Sequence, residues 1–135
     1  MIAGLSLWVI GRLFEELEDY WDGNSLRVLV RCAADGTRVE VGGAILYAHE
    51  LARWLDQLRS CYNSLTGIAE LARLEPYLSA RVSLNEGRRE LTVDITPDLL
   101  NQKHRFIFQI DPSYLPQLMD GLERTIARYP IRGAK

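Results

Sequence analysis

The chain has only two cysteines, Cys32 and Cys61, and two histidines, His49 and His104. Two cysteines make no disulfide framework, and neither stands in a C-x-x-C or Cys/His spacing that holds zinc. A reduced, cytoplasmic setting is the expectation that follows. No run approaches the roughly 18 apolar residues that a membrane span needs, so no membrane association is expected. The apolar opening, Met1 to Ile10, has no basic residue before its hydrophobic run and no small-x-small cleavage site. It reads as a first strand and not as a secretory signal. Catalytic signatures are missing as well. No G-x-S-x-G elbow presents a nucleophilic serine, and Gly42-Gly43 lacks the G-K-[ST] that completes a phosphate loop. His49 opens a helix and His104 lies near a strand start, and both read as structural or solvent-facing. The expectation is a protein that is not an enzyme and carries no metal or cofactor.

An excess of basic charge is also absent. The net charge is −2 and the isoelectric point about 5.7, which argues against a dedicated nucleic-acid binder. What is present is a concentration of acid: Glu15, Glu16, Glu18, Asp19 and Asp22 fall within eight residues. Such a run is a solvated loop or a surface for a basic partner. At 135 residues the chain is expected to form one domain, 1–132, with 133–135 as a flexible C-terminal tail.

Hydrophobic periodicity supplies the elements. Leu5, Leu7 and Val9 alternate with Gly4, Ser6 and Trp8, and Leu26, Val28, Val30 and Cys32 with Arg27, Leu29 and Arg31, so both stretches read as half-buried strands. Asp35-Gly36 is a hairpin turn, since its residues accept the positive φ that such turns need. The stretch TRVEVGGAIL carries the chain back, with Gly42-Gly43 marking a bulge or a close approach. From Ala48 the period becomes 3.6: Leu51, Trp54, Leu55, Leu58, Cys61, Tyr62 and Leu65 form one stripe, and Gly67 reads as the helix C-cap. Leu78–Leu84, a turn at Asn85-Glu86-Gly87, Leu91–Ile95 and Phe106–Ile110 restore the strand pattern. Asp111 and Pro112 then open a second helix, with Leu115, Leu118, Met119, Leu122, Ile126 and Tyr129 inward and Pro130 as its stop. The expected fold class is α+β: a six-stranded, mainly antiparallel sheet in βββα-βββα order, both helices on one face. Arg27, Arg31, Arg81 and Ser83 have the parity of its solvated face.

Residues 12–24 break every period, and long irregular loops in compact domains are often functional. Glu18 to Leu26, EDYWDGNSL, is the densest stretch. In one reading Asp22 and Asn24 cap backbone N–H groups in an Asx-type turn while Tyr20 and Trp21 plug onto the core. In another the loop is an interaction surface. In a third, Asp19 and Asp22 join Glu75 as acid/base groups or ligands of a hard metal. Glu75-Pro76 precedes a strand, where proline is tolerated, and Glu75 there is a plain exposed acid or a buried anchor.

Four stretches together resemble a known family. DYWDGNSLRV is similar to the D-Y-x-D-x-N-W-L-x-V signature of WapI-type immunity proteins, the cytosolic antidotes to secreted polymorphic toxins. ELARWLDQL matches the helix that follows, RLEPYLSARV resembles F-L-E-P-N-L-x-F, and IARYPIR resembles the closing F-P-x-R. The match runs in order from about residue 7 to 132, departing at Gly23, Ser25 and Tyr77, where the family has Ala, Trp and Asn. The resemblance implies a non-enzymatic protein whose partner is a cognate toxin domain, which it neutralises by stoichiometric binding. The positions it carries over are Asp19, Tyr20, Asp22, Asn24, Glu75, Pro76, Pro130 and Arg132, with Trp21 as an aromatic anchor inside the same loop. Toxins that cut nucleic acid have basic clefts, which an acidic loop would suit. Two other functions stay open beside it. One is a small-molecule- or metal-binding domain with its pocket under the 12–24 loop. The other is a homo-oligomeric accessory protein. As an antidote the protein would act as a monomer or homodimer.

Overall fold

The computed structural model describes residues 2–72 and 78–133, leaving out the side chains of Ala44 and Ile45. The fold is α+β. Strands β1 (Leu5–Arg12), β2 (Ser25–Ala34) and β3 (Thr37–Tyr47) form an antiparallel sheet in that order. Helix α1 (Ala48–Ser64) follows without a linker. A second antiparallel sheet holds β4 (Gly67–Leu71), β5 (Leu78–Asn85), β6 (Arg88–Asp98) and β7 (Gln102–Gln109), again in sequence order, and α2 (Leu115–Arg128) closes the chain.

The six-stranded single sheet is thereby corrected. There are seven strands among the described residues, in sheets of three and four. Both helices on one face of one sheet also gives way to a different packing. Helix α1 packs on α2, on β4 and on the end of β3. The missed strand is β4. Gly67, read as a helix cap, has φ +106 and starts this strand; the helix is ended by Leu65, whose φ of 57 is left-handed. That ending takes Leu65 off the stripe expected to hold it, at 51% exposed, while Tyr62, still inside the helix, points outward beside buried Cys61 at 37%. In β4 only Ala69 and Leu71 are buried, and five residues are too few for a period to stand out. The Gln57 side chain of α1 accepts a hydrogen bond from the Glu70 N–H of β4 at 2.9 Å, tying strand to helix.

The turns follow their residues. Asp35-Gly36 and Glu86-Gly87 are two-residue hairpin loops, with glycine φ near +79 and +78. Gly43, φ +79, is the extra residue where the β2–β3 register shifts between Val28 and Leu29, so the expected bulge is there. Asp111 accepts from Ser113 N–H at 2.9 Å and caps a short 3-10 turn, Pro112–Tyr114, that leads into α2. At the start of α1, Glu50 reaches back to the Tyr47 N–H at 3.2 Å in a capping box.

One core joins both sheets. Leu26, Val28, Val30 and Cys32 of β2, Leu78 to Leu84 at alternate positions of β5, and Leu91, Val93 and Ile95 of β6 all turn inward, as the period of two requires. Leu51, Trp54, Leu55, Leu58 and Cys61 of α1 complete it with Leu115, Leu118 and Leu122 of α2. The sheets touch where a Cβ on Gly4 would stand 2.9 Å from the Phe108 ring of β7, so only glycine fits. On the solvated face Arg31 lies over Trp8 at 5.1 Å and pairs with Glu40 at 3.5 Å.

Candidate functional site: the 12–24 loop and its C-terminal clamp

Between β1 and β2 the chain makes an irregular excursion that ends in a 3-10 turn at Asp22–Asn24. Asp19 caps that turn, its Oδ2 accepting from the Asp22 N–H at 2.9 Å. Sequence spacing assigned this capping to Asp22 and Asn24; Asn24 does something else. Fully buried, its carboxamide donates to the Tyr20 carbonyl at 2.6 Å and to the Arg132 carbonyl at 2.8 Å, and accepts from the Arg132 N–H at 2.8 Å. An asparagine is the side chain that presents donor and acceptor together and so pairs with a whole backbone unit.

Two arginines complete the clamp. Arg132 Nη1 donates to the carbonyls of Glu15 and Leu17, both at 2.8 Å. Arg12 donates to Gly23 O at 2.7 Å and to Pro130 O at 2.5 Å, and its guanidinium sits 6.0 Å from the Tyr129 ring centre. Burial and then the neighbouring Arg132 charge lower the Arg12 pKa, while Glu15 and Glu18 oppose them; an arginine stays cationic throughout the working range. Gly133 closes the contact: its φ is +67, and a Cβ would meet the Glu18 carbonyl at 2.7 Å and the Tyr20 nitrogen at 3.0 Å. Residues 134–135 lie outside the described residues.

Above the clamp stands an aromatic group. Tyr20 and Tyr47 each lie nearly parallel to the His49 ring, at 4.3 and 5.0 Å. Trp21 meets Tyr20, Tyr47 and His49 edge-on at 5.0, 5.4 and 5.5 Å, the arrangement that ring quadrupoles favour. Tyr20 is half-buried here, but Trp21 stays 44% exposed, so the plug expected of both rings is made by Tyr20 alone. Glu15, Glu16, Glu18, Asp19 and Asp22 are all exposed around it. Asp19, Tyr20, Trp21, Asp22, Asn24 and Arg132 thus come together, with Pro130 beside them. Glu75 and Pro76 lie outside the described residues. Sequence reading missed Arg12, Tyr47, His49 and Gly133. No local pattern marks Arg12 or Gly133, while Tyr47 and His49 flank a helix start close enough to invite the question.

This arrangement orders backbone and displays side chains. Among the described residues no three of His, Cys, Asp and Glu are gathered as metal ligands. Cys32 and Cys61 are buried core thiols, and burial pushes Cys32 up to about 11. Among the described residues no helix is long and apolar enough to cross a membrane. The fold and the clamped loop define a small α+β protein with an ordered acidic and aromatic loop on its surface. The chain belongs to the WapI-like immunity protein family, whose family model matches residues 2–130. No curated protein and no solved structure matches it.

Proposed function

We propose that the protein is a non-enzymatic, cytoplasmic antidote that neutralises a cognate toxin domain by one-to-one binding, with the outer face of the 12–24 loop as its contact surface. The supporting observation is Trp21. It is 44% exposed, yet three ring contacts hold it, and the loop beneath is bonded at both ends by Arg12 and Arg132. A large aromatic held rigid in the free protein loses little entropy on binding, and such residues dominate interface energies. The five surrounding carboxylates favour a basic target surface, such as the substrate cleft of a nuclease toxin, and speed encounter with it. Family membership supports the toxin as partner class.

Calorimetry with the toxin domain encoded beside its gene tests this reading. The expected result is a one-to-one complex, weakened by Trp21→Ala and by raised salt. Absence of binding to any neighbouring toxin domain overturns it.

A further inference from the structure

A groove of about 470 Å³ lies between β1 and α2, and no residue of the 12–24 loop lines it. Both faces of β1 line it: Leu7 and Val9 from the core side, Trp8 and Ile10 from the solvent side. A recess reached by both faces of one strand runs along that strand's edge. Among the described residues β1 is the outer strand of its sheet and pairs with β2 alone. The Ala33 N–H bond to Gly4 O sets the alternation, so Ser6 and Trp8 bond toward β2 while Leu7 and Val9 turn N–H and C=O to the groove.

Three features of the opposite walls fit an occupant. Trp54 lines the groove, is 2% exposed, and its indole Nε1 has no hydrogen-bond partner among the described residues. Gly121 interrupts the middle of α2 at the wall, although a Cβ there would meet nothing nearer than Arg124 Nη2 at 3.9 Å. Packing inside the chain does not require glycine at that helical position, where it is unfavourable; it leaves room for something outside. Arg124 and Arg128 are the only charged groups among the described lining residues, and neither is in an ion pair there.

We propose that this groove receives an extended peptide segment of a partner protein, apolar and acidic in alternation. The segment adds as a fourth strand on the β1 edge, gives Trp54 its acceptor and sets carboxylates against Arg124 and Arg128. Uncovered edge strands bearing large apolar residues are the usual template for such pairing. An amphipathic lipid acid would share the apolar and anionic chemistry but leave the outward N–H and C=O groups of Leu7 and Val9 unpaired. The proposal does not rest on the toxin reading, since any partner strand of this chemistry satisfies it.

The test is a nitrogen–proton NMR titration of the whole chain with the peptide acetyl-VEIEVEI-amide. Saturable shifts of the Leu7 and Val9 amides and the Trp54 indole N–H are expected. Binding is expected to fall at least tenfold with acetyl-VKIKVKI-amide, and at least tenfold with Gly121→Leu, a substitution that suits a helix and fills the slot. A melting curve for Gly121→Leu matching the parent establishes that it is folded. The proposal is overturned by no saturable shift at millimolar peptide, by equal affinity for the lysine peptide, or by undiminished binding to Gly121→Leu. Decanoate shifting these resonances where the peptide does not overturns it too. Toxin binding, read by calorimetry and Trp21→Ala, is scored separately from every one of these outcomes.

Discussion

Asn24 and Arg132, 108 residues apart in the chain, bond as a reciprocal pair: the carboxamide of Asn24 accepts from the Arg132 N–H and donates to the Arg132 carbonyl. This pair makes the loop between β1 and β2 dependent on the C-terminal segment. Asn24→Ala removes these bonds and the one to Tyr20 from a fully buried site. The expected loss is about 2–4 kcal/mol, read by urea unfolding. A loss below about 1 kcal/mol would show the clamp to be incidental.

Trp21→Ala and Asp22→Ala behave differently, because both side chains are exposed. Asp22→Ala is expected to change stability by no more than about 0.5 kcal/mol. Each is expected to weaken toxin binding tenfold or more, about 1.4 kcal/mol. The opposite pattern, stability lost and binding kept, would assign the two residues to the fold.

Gly133→Ala tests the packing of the C-terminal segment against residues 18–20. Its φ of +67 is unfavourable for alanine, and the added Cβ would press on the Glu18 carbonyl. A loss of about 1–3 kcal/mol is expected, with the largest changes in amide exchange at residues 18–20. Unchanged exchange there would contradict the packing.

The Asp111 carboxyl is held below its ordinary pKa, first by the Ser113 N–H bond. A carboxylate lowered by folding contributes stability above its unfolded value, near pH 3.9, and loses it as pH falls through the folded value. The stability gap between the parent and Asp111→Ala is therefore expected to be constant from pH 5 to 7 and to shrink below about pH 4. Denaturant midpoints across that range decide it, and a gap that widens in acid would refute the cap.

Cys32 is buried, with a pKa pushed up to about 11, and burial raises Cys61 as well. Both thiols stay protonated at pH 8, and the thiolate is the reactive form. Ellman's reagent is expected to react with them only at the rate of unfolding, so that mild denaturant accelerates the reaction. Rapid labelling of the native protein would place one of them at the surface.

Much of the fold is written in local pattern. The alternation in β2, β5 and β6, the stripes of α1 and α2 and the Asp35-Gly36 hairpin each need only a few neighbouring residues to be read. The strand β4 escapes because five residues bury two side chains, and because Gly67 looks like a cap until its partner Leu84 is known. The split into two sheets escapes as well. Strand pairing is a long-range choice, and a period of two does not say which edge meets which.

The candidate site divides in the same way. The acid run, Tyr20 and Trp21 are visible in nine letters of sequence, and the ordered motifs lead to the immunity protein family. Whether those letters support the fold or face a partner depends on groups brought from elsewhere: Arg132 and Pro130 from the far end, His49 from α1, Arg12 from β1. Sequence alone determined the amphipathic elements, because burial of each depends on its own period. Tertiary structure alone decided that Asn24 and Arg132 are clamps and that Trp21 remains exposed, because a hydrogen bond across 108 residues has no local signature.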